Sequence, residues 1–239
     1  MNLLLLIGIP LITAVAVLVS RSKQQVKWIS LTGAAVQLAA SFALLFAYQG
    51  QRTAGNSTQM LFEQNYKLFS SFNINFHIGV DGISVAMILL TSFVLIAGVL
   101  VSWNIEKMTK EFYFLLILLA LGAYGFFISL DLFVLFFFLE ISVIPKYLLI
   151  GIWGSGKKEY SANKLALMLM GGSALILVGI ILLYYNAGQS FDIMHLSQVN
   201  LSGHLQNIIF PLLFVGFGVF TALFPLHTWV PDGHSSAPT

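Results

Sequence analysis

The sequence contains no cysteine and few charged residues, and each shortage narrows the class of protein. Without cysteine, the chain offers neither a disulfide nor a thiolate metal site. Only 8% of the 239 residues are charged, against about a quarter in average soluble domains. The formal net charge of +2 is too small to indicate nucleic-acid binding. Hydrophobic residues make up 58% of the chain, which is typical of a polytopic membrane protein.

Seven apolar segments are long enough to cross a hydrocarbon layer, which takes about 20 helical residues. They are continuous and lack the alternation of barrel strands, so we predict helices. The expected fold is an all-α, polytopic transmembrane helix bundle that forms a single domain over residues 1–239. The helices are predicted at about 3–20, 28–48, 80–103, 112–130, 132–153, 162–185 and 208–227.

The long connection at residues 50–78 is predicted to be an extracytoplasmic loop. Apolar and polar residues alternate from Phe72 to Ile78, which indicates a short strand or hairpin. An irregular loop with chance alternation is the alternative, and the pattern alone does not decide between them.

Basic residues in the loops predict the orientation of the chain in the membrane. They concentrate in the first, third and fifth loops, which we therefore expect to be cytoplasmic. The N-terminus is then expected on the extracytoplasmic side. The residues that carry this prediction are Arg21, Lys23, Lys27, Lys107, Lys110, Lys157 and Lys158.

Glu140 is a candidate proton-binding residue because it lies about nine residues into the fifth segment, near the bilayer midplane. An acid at that depth costs a few kcal/mol and usually has a function. Its proton affinity depends on burial and on nearby cations, so it can be switched. The alternative is a protonated Glu140 that only packs against a neighbouring helix. Asp131, by contrast, directly precedes the segment and is expected to cap its helix.

Lys146 follows Glu140 by six residues in the same segment. On an ideal helix this spacing means about 9 Å of rise and an offset of about 120°, so the two side chains do not share a face. Pro145 removes a backbone hydrogen bond and predicts a kink. Our hypothesis is that the kink brings Glu140 and Lys146 within reach. Otherwise Lys146 points into a different helix contact or a water-filled cavity, or it extends towards the cytoplasmic interface.

The seventh segment ends in a sequence that predicts a broken or re-entrant helix. Pro225 and Pro231 bracket His227, and Asp232 and His234 follow. Such backbone survives at membrane depth only where protein buries it or where it lines an aqueous path. Histidine is the side chain that ordinarily changes charge near neutral pH, which suits proton transfer, although buried structural histidines are the alternative. Their spacing fits no common zinc site.

Five sequence stretches resemble one family, the antiporter-like membrane subunit M (chain 4 type) of respiratory complex I, the NADH:quinone oxidoreductase. The resemblance covers nearly the whole chain, and the last motif is shared with the wider antiporter superfamily. The stretches are GVDGIS (79–84), KEFY (110–113), FFFLEISVIPKYLLIGIWG (136–154), EYSANK (159–164) and PLHTWVPDGHSSAPT (225–239).

The resemblance implies a fold of fourteen helices in two inverted repeats, of which this chain is the N-terminal half. It also implies proton translocation driven by electron transfer in other subunits, with NADH, FMN, iron–sulfur clusters and quinone bound there and none in this chain. Other complex I membrane subunits, the lipid bilayer and protons are the implied partners, and a bacterial inner membrane is the implied location. The implied proton path consists of Glu140, Lys164, His227, Asp232 and His234.

Two features depart from the family pattern. Phe220 stands where the family has a lysine, five residues before the proline of PLH, and Lys146 stands where the family often has an apolar residue. Our hypothesis is that the basic partner has moved from the seventh segment to the fifth, which adds Lys146 to the path. The chain also ends at Thr239, inside the last motif, so we interpret it as a truncated product or a fragment. The alternatives are a subunit of a sodium/proton antiporter complex and a non-transporting truncated scaffold.

Overall fold

The computed structural model describes residues 2–238, and most of them are helical, as predicted. The elements are α1 (Leu5–Val19), α2 (Lys23–Thr53), β1 (Leu61–Phe69), β2 (Ile74–Val80), α3 (Gly82–Val101), α4 (Thr109–Ile128), α5 (Leu132–Trp153), α6 (Lys158–Asn186), α7 (Ile193–Leu196), α8 (Gly203–Phe220) and α9 (Trp229–Ser236). Within residues 2–238, 6 helices have the length and apolar composition needed to cross a membrane: α2, α3, α4, α5, α6 and α8.

The first two helices differ from their predicted lengths. Helix α1 has 15 residues, which gives it a length of about 22 Å, less than a full hydrocarbon layer. Helix α2 has 31 residues and begins at Lys23, before the apolar stretch that predicted it. Its polar first turn is helical because Ser22 and Gln25 form a capping box, each side chain accepting from the other residue's backbone N–H.

The long connection between α2 and α3 contains a two-stranded β-sheet made of β1 and β2. The prediction of a hairpin is therefore confirmed over that of an irregular loop. Asn73 precedes β2 with φ of 52°, a left-handed conformation that asparagine tolerates better than most residues. The loop is shorter than predicted at its start, because α2 continues to Thr53.

The chain divides into two compact units. One contains residues up to Gln64 and Ile78–Ser129, and the other contains Asn65–His77 and Leu130–Pro238. In the first unit, α2 packs against α1 and α3, and α4 packs against α1, α2 and α3.

A buried polar network joins three helices of the first unit. The Ser41 hydroxyl of α2 lies 2.6 Å from the Ser92 hydroxyl of α3, which lies 2.8 Å from the Tyr124 hydroxyl of α4. Gln37, one turn before Ser41, donates to the Leu6 carbonyl at 3.2 Å. All four side chains are buried. Hydrogen bonds of this kind fix which faces of the apolar helices contact each other, because apolar packing alone selects weakly among different arrangements of helices.

Helix α6 is the centre of the second unit, because α5, α8 and α9 all pack against it. Glycines allow α6 and α8 to approach closely: a Cβ atom on Gly172 would lie 2.9 Å from the Val219 Cβ and 3.0 Å from the Gly216 carbonyl oxygen. Small residues at helix contacts are common in membrane bundles. The apolar core beside this contact consists of Val143, Ile150, Ala162, Leu165, Leu169, Val219 and Trp229.

Candidate functional site

Glu140 lies in the middle of α5, half-buried, and its carboxylate faces α6. The Ser173 hydroxyl of α6 is within hydrogen-bond distance of Glu140 Oε1. The same hydroxyl lies 2.9 Å from the Leu169 carbonyl oxygen, one turn earlier on α6. Glu140 is therefore held by a neighbouring helix through a neutral hydroxyl group.

Lys146 does not contact Glu140, so the hypothesised pair is not formed by direct contact. Helix α5 continues through Pro145 to Trp153, which leaves the six-residue spacing at about 9 Å of rise and about 120° of rotation. Lys146 is half-buried and makes no hydrogen bond or ion pair with any residue from 2 to 238, although Glu140 acts on it electrostatically. The positive charge of Lys146 therefore interacts with other groups electrostatically at a distance, without a direct contact.

Lys164 and Asp232 form an ion pair between α6 and α9. Lys164 Nζ lies 2.6 Å from Asp232 Oδ2, and the two side chains are 26% and 41% exposed. Lys164 Nζ also lies 5.8 Å from the ring centre of Tyr160, one turn earlier on α6. The structure thus brings together two of the predicted site residues that lie 68 positions apart in the sequence.

The seventh predicted segment is broken, and it ends as a helix at Phe220 rather than at His227. The physical reason is local: Pro225 has no backbone N–H, and the residue before a proline disfavours helical backbone. Ala222 adopts a left-handed conformation with φ of 57°. Turns then lead to α9, whose Trp229 donates from Nε1 to the Val219 carbonyl at 2.9 Å.

The two candidate histidines occupy different surroundings. His227 lies in the turns between α8 and α9, and its Nδ1 atom is buried with no hydrogen-bond partner among residues 2–238. A buried side-chain nitrogen without a hydrogen-bond partner is uncommon in folded proteins. His234 is exposed on α9, with its ring centre 6.5 Å from that of Trp229.

Phe220, at the position where the family resemblance implies a lysine, packs against the apolar core of the second unit. That core includes Leu165 and Leu169 of α6 and Val219 of α8. An ammonium group there would be surrounded by hydrocarbon, which is unfavourable unless a partner is present. The apolar surroundings therefore fit the phenylalanine.

Two serines of the site are not among the residues predicted from the sequence. Ser173 contacts Glu140, and Ser161 on α6 places its hydroxyl 2.8 Å from that of Ser236 on α9. Both are buried. Ser173 could have been found from the sequence. It is a polar residue at helical spacing among the apolar residues that form the buried face of α6, which include Leu169, Ile176 and Ile180.

A second polar cluster lies where α5 begins. Asp131 caps α5, as predicted, by accepting from the Phe133 and Val134 N–H groups at 3.0 and 3.1 Å. It also accepts from the Asn75 N–H at 3.2 Å. Burial raises the pKa of the Asp131 carboxyl, opposed by these hydrogen bonds and reinforced by Asp192. Asp192 in turn lies 2.7 Å from His77 Nδ1.

Residues 129–239 match the family model for the transmembrane region of NADH:quinone oxidoreductase and Mrp antiporter proteins. The matched range covers α5, α6, α8, α9 and the turns between α8 and α9, and it contains all six candidate site residues. The second half of the chain is therefore similar to this family. The resemblance to antiporter-like subunits, inferred from five short stretches, is confirmed.

Curated relatives extend the similarity over the whole chain. NADH-quinone oxidoreductase subunit M from Rhodobacter capsulatus is 33% identical, over 100% of this chain and 49% of the relative. NAD(P)H-quinone oxidoreductase chain 4 3 from Picosynechococcus sp. is 33% identical, over 97% of this chain and 42% of the relative. The chain spans about half the length, or less, of the curated relatives it matches.

Solved structures share the fold. One chain of respiratory complex I from Thermus thermophilus with bound NADH has a TM-score of 0.86 at 20% identity, over 98% of this chain and 47% of that one. One chain of the archaeal membrane-bound sulfane sulfur reductase has a TM-score of 0.81 at 24% identity, over 99% of this chain and 48% of that one. A chain of the Mrp complex from Dietzia sp. has a TM-score of 0.75 at 18% identity, over 98% of this chain and 25% of that one. The protein is thus an integral, multi-pass membrane protein with an antiporter-like fold.

Proposed function

We propose that this chain is part of a proton-translocating membrane subunit of an NADH:quinone oxidoreductase. The observation that carries the proposal is the set of titratable side chains held by the helices of the second unit. Glu140 is held by α6, Lys164 is paired with Asp232, and His227 lies in the break between α8 and α9. Acids and bases inside a membrane bundle usually mark an ion or proton pathway.

The mechanism we propose is electrostatic. Electron transfer takes place in other subunits, where NADH, FMN, iron–sulfur clusters and quinone are bound. A charge change in a neighbouring subunit alters the field between Glu140 and Lys146, which act on each other through space. That field changes the proton affinity of the next groups in the path, Lys164 with Asp232, His227 and His234. Protons then exchange along the series.

The proposed placement follows from the basic loops. The N-terminus is extracytoplasmic, and the loops with Arg21, Lys107 and Lys157 are cytoplasmic. The membrane is a bacterial inner membrane, and the partners are other complex I membrane subunits. In this placement Asp131 and the β-hairpin lie at the extracytoplasmic end of α5, because α5 runs from Asp131 towards the cytoplasmic fifth loop.

The test measures proton uptake and NADH oxidation together, in inverted membrane vesicles that contain the assembled complex. Glu140→Gln removes the charge with little change in shape, and we expect proton uptake per NADH oxidised to fall by about a hundredfold, a usual loss when a positioned proton-transfer group is removed. Glu111→Gln is the matched control, since Glu111 is exposed in the first turn of α4. Unchanged uptake in Glu140→Gln vesicles contradicts the proposal.

The family model also covers Mrp antiporters, which favours a sodium/proton antiporter complex as the second candidate. The same vesicles separate the two. A sodium gradient imposed without NADH should move protons through an antiporter but not through a redox-driven pump. Proton movement that depends on Glu140 and on sodium alone would support the antiporter. No dependence on Glu140 under either condition would support a non-transporting scaffold.

A further inference from the structure

We propose that Ser173 is a positioning residue for Glu140, whose hydroxyl changes its hydrogen-bond partner when Glu140 gains or loses a proton. The inference deepens the proposed function and rests on it for its physiological meaning. Its basis is the geometry of three groups: the Glu140 carboxylate on α5, the Ser173 hydroxyl on α6 and the Leu169 carbonyl one turn before Ser173.

The Ser173 hydroxyl has two acceptors within reach and one hydrogen to give. Ser173 is 7% exposed, so water does not readily donate a hydrogen bond to whichever acceptor the hydroxyl leaves. A serine hydroxyl carries one hydrogen and two lone pairs. It therefore cannot donate to Glu140 Oε1 and to the Leu169 carbonyl oxygen at the same time. Which bond forms depends on the protonation state of Glu140.

In each protonation state of Glu140, the Ser173 hydroxyl hydrogen has an acceptor within reach. An ionised carboxylate only accepts, so the Ser173 hydroxyl donates to it, and Leu169 keeps the backbone N–H bond of the helix. A protonated Glu140 has its own O–H, which donates to Ser173 Oγ, while the Ser173 hydrogen rotates towards the Leu169 carbonyl. The added proton stays on Glu140, and Ser173 keeps its own. Only a hydroxyl hydrogen moves within α6.

The charged residues around Glu140 affect when it gains or loses a proton, and so when Ser173 changes its hydrogen-bond partner. Lys146 on α5 acts on Glu140 through space. On α6, Lys164 lies nine positions before Ser173 and is neutralised in part by Asp232 of α9. On α8, the residue that packs towards the same core is the uncharged Phe220. Ser173 is thus the group that hydrogen-bonds Glu140, while the cations act at longer range.

The test is an infrared titration of the Glu140 carboxyl band in the purified complex, identified by its loss in Glu140→Gln. Removing the hydroxyl with Ser173→Ala should move the midpoint of the band to higher pH by about one unit, because the hydrogen bond lost from the ionised state is stronger than the one lost from the protonated state. Ser173→Thr keeps a hydroxyl and should restore the wild-type midpoint. Ser173→Cys, a weak donor of similar volume, should give an intermediate shift.

Ser142→Ala is the matched control for removing a buried hydroxyl near Glu140. Ser142 lies on α5 and is also 7% exposed, but its hydroxyl donates to the Leu139 carbonyl at 2.7 Å. Its midpoint should equal that of the wild type. A wild-type midpoint in Ser173→Ala, or in Ser173→Cys if the alanine variant does not assemble, overturns the inference. Normal proton pumping in Glu140→Gln would overturn the proposed function instead, whatever the titration of the serine variants shows.

Discussion

Lys164 Nζ of α6 lies 2.6 Å from Asp232 Oδ2 of α9, so a charge pair connects an unbroken helix to the short helix after the break. The side chains are 26% and 41% exposed, and pairs of this exposure stabilise a fold by about 1 kcal/mol or less. The pair therefore contributes little to stability. In the sequence, Asp232 lies between His227 and His234, which belong to the same proposed proton path.

We expect Asp232→Asn to leave the unfolding temperature of the complex nearly unchanged and to lower proton uptake per NADH by about a hundredfold, as for a lost proton-transfer group. Lys164→Met should have a similar effect. The double variant should be no worse than either single one, because the two residues act as one pair. Vesicle uptake and thermal unfolding measure the two properties separately. A large loss of stability with normal uptake would identify the pair as structural.

Lys146→Met tests whether the base of the fifth helix serves the proton path. Lys146 has no direct partner among residues 2–238, and its charge acts on Glu140 through space. We expect proton uptake per NADH to fall while NADH oxidation by the other subunits continues. Lys157→Met, in the exposed loop before α6, is the control for loss of one positive charge. Full uptake at normal turnover in Lys146→Met would contradict the role.

Features that depend on nearby residues could be predicted from the sequence. Asp131 caps α5 because the acid and the helix start are adjacent, and the break after α8 follows from Pro225. The Lys164–Asp232 pair and the Ser173–Glu140 contact could not be predicted, because they depend on how α5 and α9 pack against α6. The early start of helix α2 was missed although its signal is local, because a cap at Ser22, not hydrophobicity, sets the first residue of the helix.

Gly172 provides a test of the close contact between α6 and α8. A Cβ atom there would lie 2.9 Å from the Val219 Cβ and 3.0 Å from the Gly216 carbonyl oxygen. We expect Gly172→Ala to destabilise the fold by about 1–3 kcal/mol, the usual cost of overpacking. The adjacent Gly171 is an ideal control, because its added Cβ would meet nothing within 4 Å. Thermal unfolding in detergent should separate the two variants, and equal unfolding temperatures would contradict the contact.

The Asp131 carboxyl should give the stability of the protein a recognisable pH dependence. Burial raises its pKa above the ordinary value of 3.8. Between 3.8 and the raised value, the folded protein binds more protons than the unfolded chain, so the stability from this group is greatest below pH 3.8 and is lost as pH rises through the folded pKa. Asp131→Asn keeps a good capping residue but does not titrate.

We therefore expect the stability of the wild type relative to Asp131→Asn to decrease as the pH is raised through that window. The measurement is the unfolding temperature of both proteins in detergent across the acidic range. Glu106 provides a contrast of opposite sign, since hydrogen bonds from Lys23 and Lys27 hold its pKa below 4.5. Its contribution is present above pH 4.5 and is lost as pH falls through the lowered pKa. A wild-type advantage over Asp131→Asn that grows with rising pH would show that hydrogen bonds, not burial, dominate at Asp131.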